Sequence, residues 1–240
     1  FDQYHTKGDR IYRIETIKVE QGGKYSGTPT GVPAALRSDF QGIEKVGAVL
    51  RRDGSIVPIE QGKGVDKYKE SVAFVENEIF QMLDFQWISG NPVTVASDLN
   101  TVILSETYAA KFFGSSGEAR GKTLQIDQED WVVTGIVADP PVNTDFPFHI
   151  MASYENIRNE NTHHDQQHVG WSDDHQTYVL LKKGVSPEEV AQQFPQMVEK
   201  YMDKEALKKR AYSLLPLDQI HFEHNFGGRS ADPKMLKTLM

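Results

Sequence analysis

The sequence predicts an α+β fold in which two strand–helix–strand units enclose an inserted middle section. Three observations lead to this prediction. The residue patterns of 1–55 and of 147–225 each predict the order strand, helix, strand. The pattern of residues 56–146 predicts short strands and helices of its own. Two strand–helix–strand units side by side build a ferredoxin-like sandwich. The predicted domains are therefore 1–55 with 147–225, an inserted mixed α/β subdomain at 56–146, and a linker at 226–240.

The first unit is predicted from β-branched residues and one proline. Residues 11–19 are rich in isoleucine, threonine and valine, which favours a strand. Pro33 suits the first turn of a helix that ends near Phe40. Residues 43–50 form the next predicted strand. The stretch 54–69 is rich in turn residues and charges, so it predicts the border of the insertion.

The insertion is predicted to hold two helices and several short strands. Asn77 can cap a helix that ends near Leu83. Ser105 can cap a second helix, which Gly114 ends in the left-handed conformation. The predicted strands are 102–104, 122–126 and 131–138, with a turn at 127–130 and a stop at the prolines 140–141.

The last section begins with a strand at 177–181 and then a strong helix start. Ser186, Pro187 and Glu189 form a capping box with proline in the first turn. Apolar residues continue at helical spacing to Tyr201. Pro195 interrupts this stripe and is expected to kink or split the helix. The closing strand begins at residue 211 and is interrupted by Pro216.

Composition excludes several classes of function. The 240 residues contain no cysteine, so disulfides, zinc–thiolate sites, iron–sulfur clusters and a cysteine nucleophile are excluded. The net charge of −8, without a basic stripe, argues against nucleic acid as a partner. No P-loop, dinucleotide fingerprint or Gly-x-Ser-x-Gly motif occurs. No stretch of the sequence reaches the roughly 18 consecutive apolar residues that a membrane-spanning helix needs.

One loop, residues 159–175, carries side chains that could bind a metal. Imidazole and carboxylate groups suit zinc, copper or nickel, but no helical His-x-x-x-His pair with a catalytic glutamate is present. We expect a solvated, mobile loop, with a metal site as the weaker alternative. We therefore predict no catalytic, cofactor-binding or metal-binding residues and no cofactor, so the protein is expected not to be an enzyme. The candidate ligands are His163, His164, Asp165, His168, Asp173, Asp174 and His175.

Two other groups of residues have structural interpretations. The large aromatic residues are expected to be core residues rather than a ligand box. The basic stretch 204–210 is expected to be a solvated helix face, with contact to anionic lipid headgroups as the alternative. The chain starts at Phe1 and stops within an apparent helix start at 234–240, which favours a piece of a longer protein over a processed end. The aromatic core residues are Trp87, Trp131, Trp171, Phe80, Phe85, Phe112 and Phe113.

Several stretches, in this order, resemble the periplasmic core domain of MacB-type and FtsX-like ABC transporter permeases, in the form common in Bacteroidetes. The opening residues 1–14 resemble the segment that follows the first transmembrane helix. The departures from the family are the loop 159–175 and Pro195. The other similar stretches are 102–106 through 113–114, 121–124, 133–137 with 139–141, 177–182 and 215–221.

The resemblance implies a periplasmic domain of a bacterial inner-membrane protein, made of a porter-like subdomain and an inserted second one. Its function would be to couple ATPase-driven movement of transmembrane helices to periplasmic export or partner action. The implied partners are transmembrane helices of the same chain, a cytoplasmic ABC ATPase, a second permease subunit, and a periplasmic adaptor, outer-membrane protein or lipoprotein. Two alternatives remain: a sensor or binding module for a peptide, antibiotic or lipoprotein, and a metal- or ligand-dependent enzyme.

Overall fold

The structure is a computed structural model that describes residues 1–20, 22–58, 67–91 and 96–223. It divides into two compact units. One consists of Phe1–Val46 and the segment that begins at Asp165, and is called the split unit below. The other is Gly47–His164, called the barrel unit. The predicted borders near residues 55 and 147 are therefore about 10 to 20 residues from those of the two units, and the predicted linker 226–240 lies outside the described residues.

Eleven strands and six α-helices lie in the described part of the chain. The strands are β1 (Ile11–Lys18), β2 (Gly23–Tyr25), β3 (Ile43–Pro58), β4 (Tyr68–Val75), β5 (Trp87–Ser89), β6 (Thr101–Ser105), β7 (Thr123–Ile126), β8 (Glu129–Val137), β9 (Ile150–Ser153), β10 (His175–Leu181) and β11 (Arg210–Pro216). The helices are α1 (Val32–Asp39), α2 (Asn77–Met82), α3 (Glu106–Phe113), α4 (Glu155–Glu160), α5 (Pro187–Ala191) and α6 (Phe194–Tyr201). None of the helices described is long and apolar enough to cross a membrane.

The split unit is a helix-backed sheet with the strand order β11-β1-β10-β3. β1 pairs antiparallel with β10 on one edge and with β11 on the other. Helices α1, α5 and α6 cover one face, where their apolar side chains meet those of the strands. This core contains Ile14, Val32, Ala35, Leu36, Val46, Val179, Leu181, Val190, Phe194, Met197, Val198 and Tyr212.

Helices α5 and α6 begin where short sequence motifs in the third section predict a helix. The Ser186 side chain accepts a hydrogen bond from the backbone N–H of Glu189, and the Glu189 carboxylate accepts one from the backbone of Ser186. The helical stripe is split into α5 and α6, with Pro195 in the first turn of α6. Proline lacks the N–H that a continuous helix would need at this point.

The barrel unit contains a closed sheet of six strands. β3 pairs with β4, β4 with β9, β9 with β6, β6 with β8, β8 with β7, and β7 again with β3. Residues such as Ile56, Val75 and Met151 each pair with two different neighbours, so those neighbours lie on opposite edges of their strand. The circuit of pairs therefore closes, and β5 adds to the end of β8.

Alternate residues of all six strands meet in one apolar cluster, as the inner face of a closed sheet requires. Helix α3 adds Ala109, Phe112 and Phe113 to this cluster. The predicted core residues Phe112 and Phe113 belong to it together with Val133, whereas Phe80 and the neighbouring Leu83 are buried outside it. The strand residues of the cluster are Ala48, Ile56, Val72, Phe74, Val102, Leu104, Leu124, Ile126, Trp131, Val133, Ile136, Ile150 and Ala152.

Three sequence-based predictions are wrong in detail. Residues 54–58 are part of β3 rather than a turn-rich border, because Gly54 pairs with Glu70 of β4. Glu76 occupies the cap position before α2 without a side-chain cap, while the Asn77 amide oxygen accepts a bond from the backbone of Ala96. The basic stretch 204–210 holds only a short 3-10 helix, Ala206–Lys208, because Arg210 already belongs to β11.

Candidate functional site

The loop 159–175 is anchored by two buried histidines, whereas most of its other residues are exposed, so the prediction of an exposed loop is wrong only at these anchors. His164 is 5% exposed, and its Nε2 lies 2.8 Å from the Tyr154 hydroxyl, itself buried. His175 is 2% exposed and its Nδ1 donates to the carbonyl oxygen of Thr28 at 2.9 Å. Buried polar groups of this kind require such partners, so these histidines hold structure.

The later part of the loop lies against residues 26–31. One Asp173 carboxylate oxygen accepts bonds from the Ser26 hydroxyl and the Gly27 N–H, both at 3.1 Å. A Cβ added to Gly27 would be 1.9 Å from the carbonyl oxygen of Ser172, so glycine is required there. His168 belongs to the same part of the loop, and its partial burial lowers the pKa of its imidazole.

The seven candidate ligands do not form a metal site. His164, Asp173 and His175 are each held by a separate partner, and His163, Asp173 and Asp174 are exposed. Across the described ranges no group of three or more histidine, aspartate or glutamate side chains could hold a metal ion. The geometry therefore offers no support for the metal-dependent alternative in this loop.

A serine, a histidine and an aspartate meet in the barrel unit, and sequence reasoning did not find them. The Ser105 hydroxyl lies 2.8 Å from Nδ1 of His149, and Asp139 Oδ1 lies 3.8 Å from the same nitrogen. In a nucleophilic relay the serine and the carboxylate contact opposite ring nitrogens. This arrangement therefore lacks relay geometry. The three residues come from the ends of different elements, so no local sequence spacing could have revealed the cluster.

Asp139 has a structural role in this cluster. It accepts bonds from the backbone N–H and the hydroxyl of Thr107, at 3.1 and 2.5 Å. Partial burial would raise the pKa of Asp139, but the hydrogen bonds from Thr107 and Ser105 and the nearby His149 outweigh it, so that the pKa is lowered. An ionised carboxylate at the first turn of α3 also matches the helix dipole.

The start of the chain packs on the last described residues. The Phe1 ring stacks on the His221 imidazole, with centroids 3.2 Å apart and planes within 9°. Phe222 meets Phe1 edge-on at 6.2 Å. Pairing of Tyr12 with Pro216 places the start of β1 beside the end of β11. Both ends of the described chain are therefore close together within the split unit.

A cleft of about 580 Å³ lies beside this contact. Its polar lining includes a buried pair, in which His5 Nε2 lies 3.7 Å from Asp2 Oδ1. Residues from the chain start, from the end of β11 and from the segment after it line the cleft together, namely Asp2, Gln3, His5, Thr6, Gly8, Asp9, Pro216, Leu217, Asp218 and Gln219.

The predicted aromatic core is confirmed in part. Trp131, Phe80, Phe112 and Phe113 are buried. Trp87, Phe85 and Trp171 are half-buried. Two cations lie over the Trp171 rings, the Arg210 guanidinium at 4.4 Å and the Lys18 ammonium at 5.4 Å from ring centroids. Trp171 therefore helps to hold this part of the loop against β1 and β11.

A family model described as the MacB-like periplasmic core domain matches residues 1–197. The chain belongs to this family. It is thus a periplasmic domain of a MacB-like ABC transporter permease, as the resemblance predicted. No curated protein matches the chain.

Solved structures share the fold of this MacB-like domain. A domain of a putative permease from Porphyromonas gingivalis superposes with a TM-score of 0.73 at 21% identity, covering 98% of both chains. The periplasmic region of MacB from Actinobacillus actinomycetemcomitans gives 0.59 at 15% identity, covering 90% of this chain and 92% of that one. The extracellular domain of the noncanonic ABC-type transporter YknZ from Gram-positive bacteria gives 0.56 at 11%, covering 85% and 99%.

Proposed function

We propose that this domain transmits movement of two transmembrane helices of its own chain to the periplasm, driven by a cytoplasmic ABC ATPase. One observation carries the proposal, namely the contact of Phe1 with His221 and Phe222 beside the paired ends of β1 and β11. Helices joined to the two ends would enter the same unit at the same place. The required chemistry is packing rather than catalysis, which fits a protein that is not an enzyme.

The strand pairing suits this mechanical role. β1 and β11 pair over seven positions, from Tyr12 with Pro216 to Lys18 with Arg210. Because the strands are antiparallel neighbours, a displacement shared by both ends moves the split unit as one body. A displacement of one end relative to the other would instead strain the pairing of β1 with β11 at Tyr12 and Pro216.

We infer that the split unit is the porter-like, ferredoxin-like subdomain of the family. Its strand order β11-β1-β10-β3 and its two helical connections, α1 and then α5 with α6, support this assignment. The further partners proposed from the family are a second permease subunit in the inner membrane, and a periplasmic adaptor, outer-membrane protein or lipoprotein.

A flexible insertion tests the coupling in the full-length permease. Six glycine and serine residues placed directly before Phe1 would lengthen the connection without touching the packed unit. Since such a linker behaves as a flexible coil, helix movement should no longer reach β1. We expect ATPase activity to persist while export falls at least tenfold.

The control is the same insertion after Val142, which is fully exposed in the barrel unit. Export should survive this change, because exposed loops tolerate insertions. Normal export by the variant with the insertion before Phe1 would contradict the coupling proposal.

A binding module is the second candidate, and the cleft of about 580 Å³ between residues 2–9 and 216–219 favours it. Its volume is within the range of small-ligand sites. A ligand that binds there while both insertion variants export normally would favour this candidate over coupling.

A further inference from the structure

Two exposed aromatic side chains lie in the part of the split unit where the described chain begins and ends. Among the phenylalanine, tyrosine and tryptophan residues of the described ranges, only Tyr4 and Phe222 are exposed, at 40% and 47%. The other exposed large apolar residues are aliphatic, namely Val19, Ile88, Leu99, Val132, Val142 and Val169. Within the described ranges, exposed aromatic surface is therefore confined to this part of the molecule.

Tyr4 and Phe222 belong to one group of rings. Phe222 meets the Phe1 ring edge-on, and Phe1 stacks on the His221 imidazole. Tyr4 follows Phe1 by three residues, so that their Cα atoms are at most about 11 Å apart. The Tyr4 ring packs on the His5 imidazole, with centroids 4.2 Å apart. Exposed apolar side chains that lie together mark interaction surfaces, and Phe1, Tyr4, His221 and Phe222 are called the aromatic patch below.

The surroundings of the patch are polar and acidic rather than basic. The cations Lys7 and Arg10 are half-buried, and Arg10 donates to Glu44 at 2.8 Å. Asp9 and Asp218 are exposed, and the whole chain has a net charge of −8, so an anionic surface would be repelled. The exposed residues that line the neighbouring cleft are Gln3, Thr6, Asp9, Asp218 and Gln219.

Aromatic rings beside polar groups suit the headgroup layer of a membrane. Tyrosine is enriched at this level, because its ring is apolar while its hydroxyl stays hydrated. The position of the membrane rests on the proposed function, in which transmembrane helices of the same chain join the split unit beside Phe1 and Phe222. The lipid surface is then the nearest apolar environment for the two exposed rings.

We propose that the aromatic patch binds the headgroup region of neutral, zwitterionic phospholipids. The rings of Tyr4 and Phe222 enter between the headgroups, and the Tyr4 hydroxyl hydrogen-bonds to lipid oxygens. Phe1 supports the Phe222 ring from the protein side. The exposed carboxylates beside the patch face the ammonium groups of the zwitterionic lipids and disfavour anionic ones. The contact holds the split unit on the membrane surface.

Fluorine probes test this contact in the full-length permease, reconstituted in phosphatidylcholine nanodiscs. The residue 4-trifluoromethylphenylalanine replaces Tyr4, Phe222 or Val169, one position at a time, and fluorine relaxation is measured by nuclear magnetic resonance. One sample contains a lipid with a nitroxide on its headgroup, and a second contains a water-soluble gadolinium chelate. The nitroxide relaxes groups that contact the headgroups, whereas the chelate relaxes groups that face water.

Val169 is the matched control, because it is an exposed apolar residue of the same unit. It follows His168, whose carbonyl oxygen accepts a hydrogen bond from Arg210. Arg210 pairs with Lys18, at the opposite end of the β1–β11 ladder from Pro216. A probe at position 169 therefore reports on exposed apolar surface outside the aromatic patch.

The two agents should act in opposite ways on the patch and on the control. The nitroxide lipid should raise the relaxation rate at positions 4 and 222 at least about threefold and leave position 169 nearly unchanged. The chelate should act most strongly at position 169. Replacing about a third of the lipid by phosphatidylglycerol should not strengthen the nitroxide effect, because the patch offers no basic attraction.

A second substitution tests whether the rings act together. Phe222→Ser should lower the nitroxide effect at position 4 by about half, because the remaining ring holds the surface less well. Phe222→Leu should retain most of the effect, since it keeps an apolar side chain at an exposed position. Val169→Ser should leave the effect at position 4 unchanged.

Three results would overturn the proposal. Strong relaxation of positions 4 and 222 by the chelate, without a nitroxide effect, would place the patch in water. Weak relaxation by both agents would mean that protein, such as a second permease subunit, covers the patch. A nitroxide effect that is equal at position 169, or that occurs only with phosphatidylglycerol, would exclude specific contact with zwitterionic lipid.

None of these readouts depends on export. Normal export by the variant with the insertion before Phe1 would contradict coupling, while the fluorine measurements on the uninterrupted chain would still decide the lipid contact. Loss of export in that variant, together with a patch that faces water, would retain coupling and remove the lipid contact. The two failures are therefore distinguishable.

Discussion

Phe113 belongs to the apolar cluster of the barrel unit, where it is 4% exposed. We predict that Phe113→Ala lowers the free energy of unfolding by about 3–5 kcal/mol, because it removes a buried ring and leaves a cavity. Urea denaturation followed by tryptophan fluorescence measures the change. Val142→Ala, at a fully exposed position, should stay within about 0.5 kcal/mol. A loss below about 1 kcal/mol for Phe113→Ala would mean that the ring is not part of a packed core.

Glu76 is a buried carboxylate with two partners in the barrel unit. It accepts from the backbone N–H of Ala48 at 2.7 Å and is paired with Arg158. Glu76→Ala should cost about 1–3 kcal/mol, because the buried Ala48 N–H loses its acceptor, whereas Arg158 is partly exposed and keeps Glu155 as a partner. Glu76→Gln keeps an acceptor for Ala48 and should cost clearly less. Equal losses in the two variants, measured by denaturant midpoints, would show that the carboxylate geometry does not matter.

His168 gives the split unit a dependence on pH. Burial lowers the pKa of His168 in the folded state, so the unfolded chain binds the proton more readily. Stability is therefore expected to fall as pH drops below the ordinary histidine pKa of about 6.5. His168→Gln should flatten the change in thermal midpoint between pH 7 and pH 5. An unchanged slope in this variant would rule out His168 as the source.

At the scale of elements, the β7–β8 hairpin has a turn with an unfavourable residue. Asp127 and Gln128 both have positive φ, 51° and 76°, as the turns of two-residue hairpins require. Gln128→Gly should raise stability by about 0.5–1 kcal/mol, because glycine adopts this conformation without steric cost. Asp127 should be retained, since its carboxylate accepts from the Ser55 N–H at 2.8 Å.

The companion measurement is Gly114→Ala at the end of α3. Gly114 has φ +79° with open space around a new Cβ, so the loss of about 1 kcal/mol would come from the backbone alone. Thermal unfolding of both variants measures these two changes in stability. A lower melting temperature for Gln128→Gly would show that the positive φ of Gln128 does not reduce the stability of the protein.

Elements with local signals were the ones that sequence could predict. The capping box at Ser186, the left-handed Gly114 and the break at Pro195 each depend on a few adjacent residues. β9 and α4 were missed, because β9 has only four residues and owes its place to pairing with β4 and β6. The burial of His164 likewise depends on Tyr154, ten residues earlier, and polar composition alone suggested a solvated loop.

At the scale of the whole molecule, the barrel unit is one continuous segment, Gly47–His164. Its strands pair in a closed circuit and it has its own core. We predict that residues 47–164 fold when expressed alone, with a cooperative thermal transition and dispersed amide signals in nuclear magnetic resonance spectra. A molten fragment without cooperative unfolding would show that the barrel needs the rest of the chain.

The pairing of β1 also has a consequence for the order of folding during synthesis. Beyond the short hairpin with β2, its partners are β10 and β11, which follow only after residue 174. Contacts so distant in sequence form slowly, because a long loop must close first. The barrel unit can therefore fold before β10 and β11, the partners of β1, have been synthesised. Among the strands described, β10 and β11 are the last to be synthesised, and they complete the split unit.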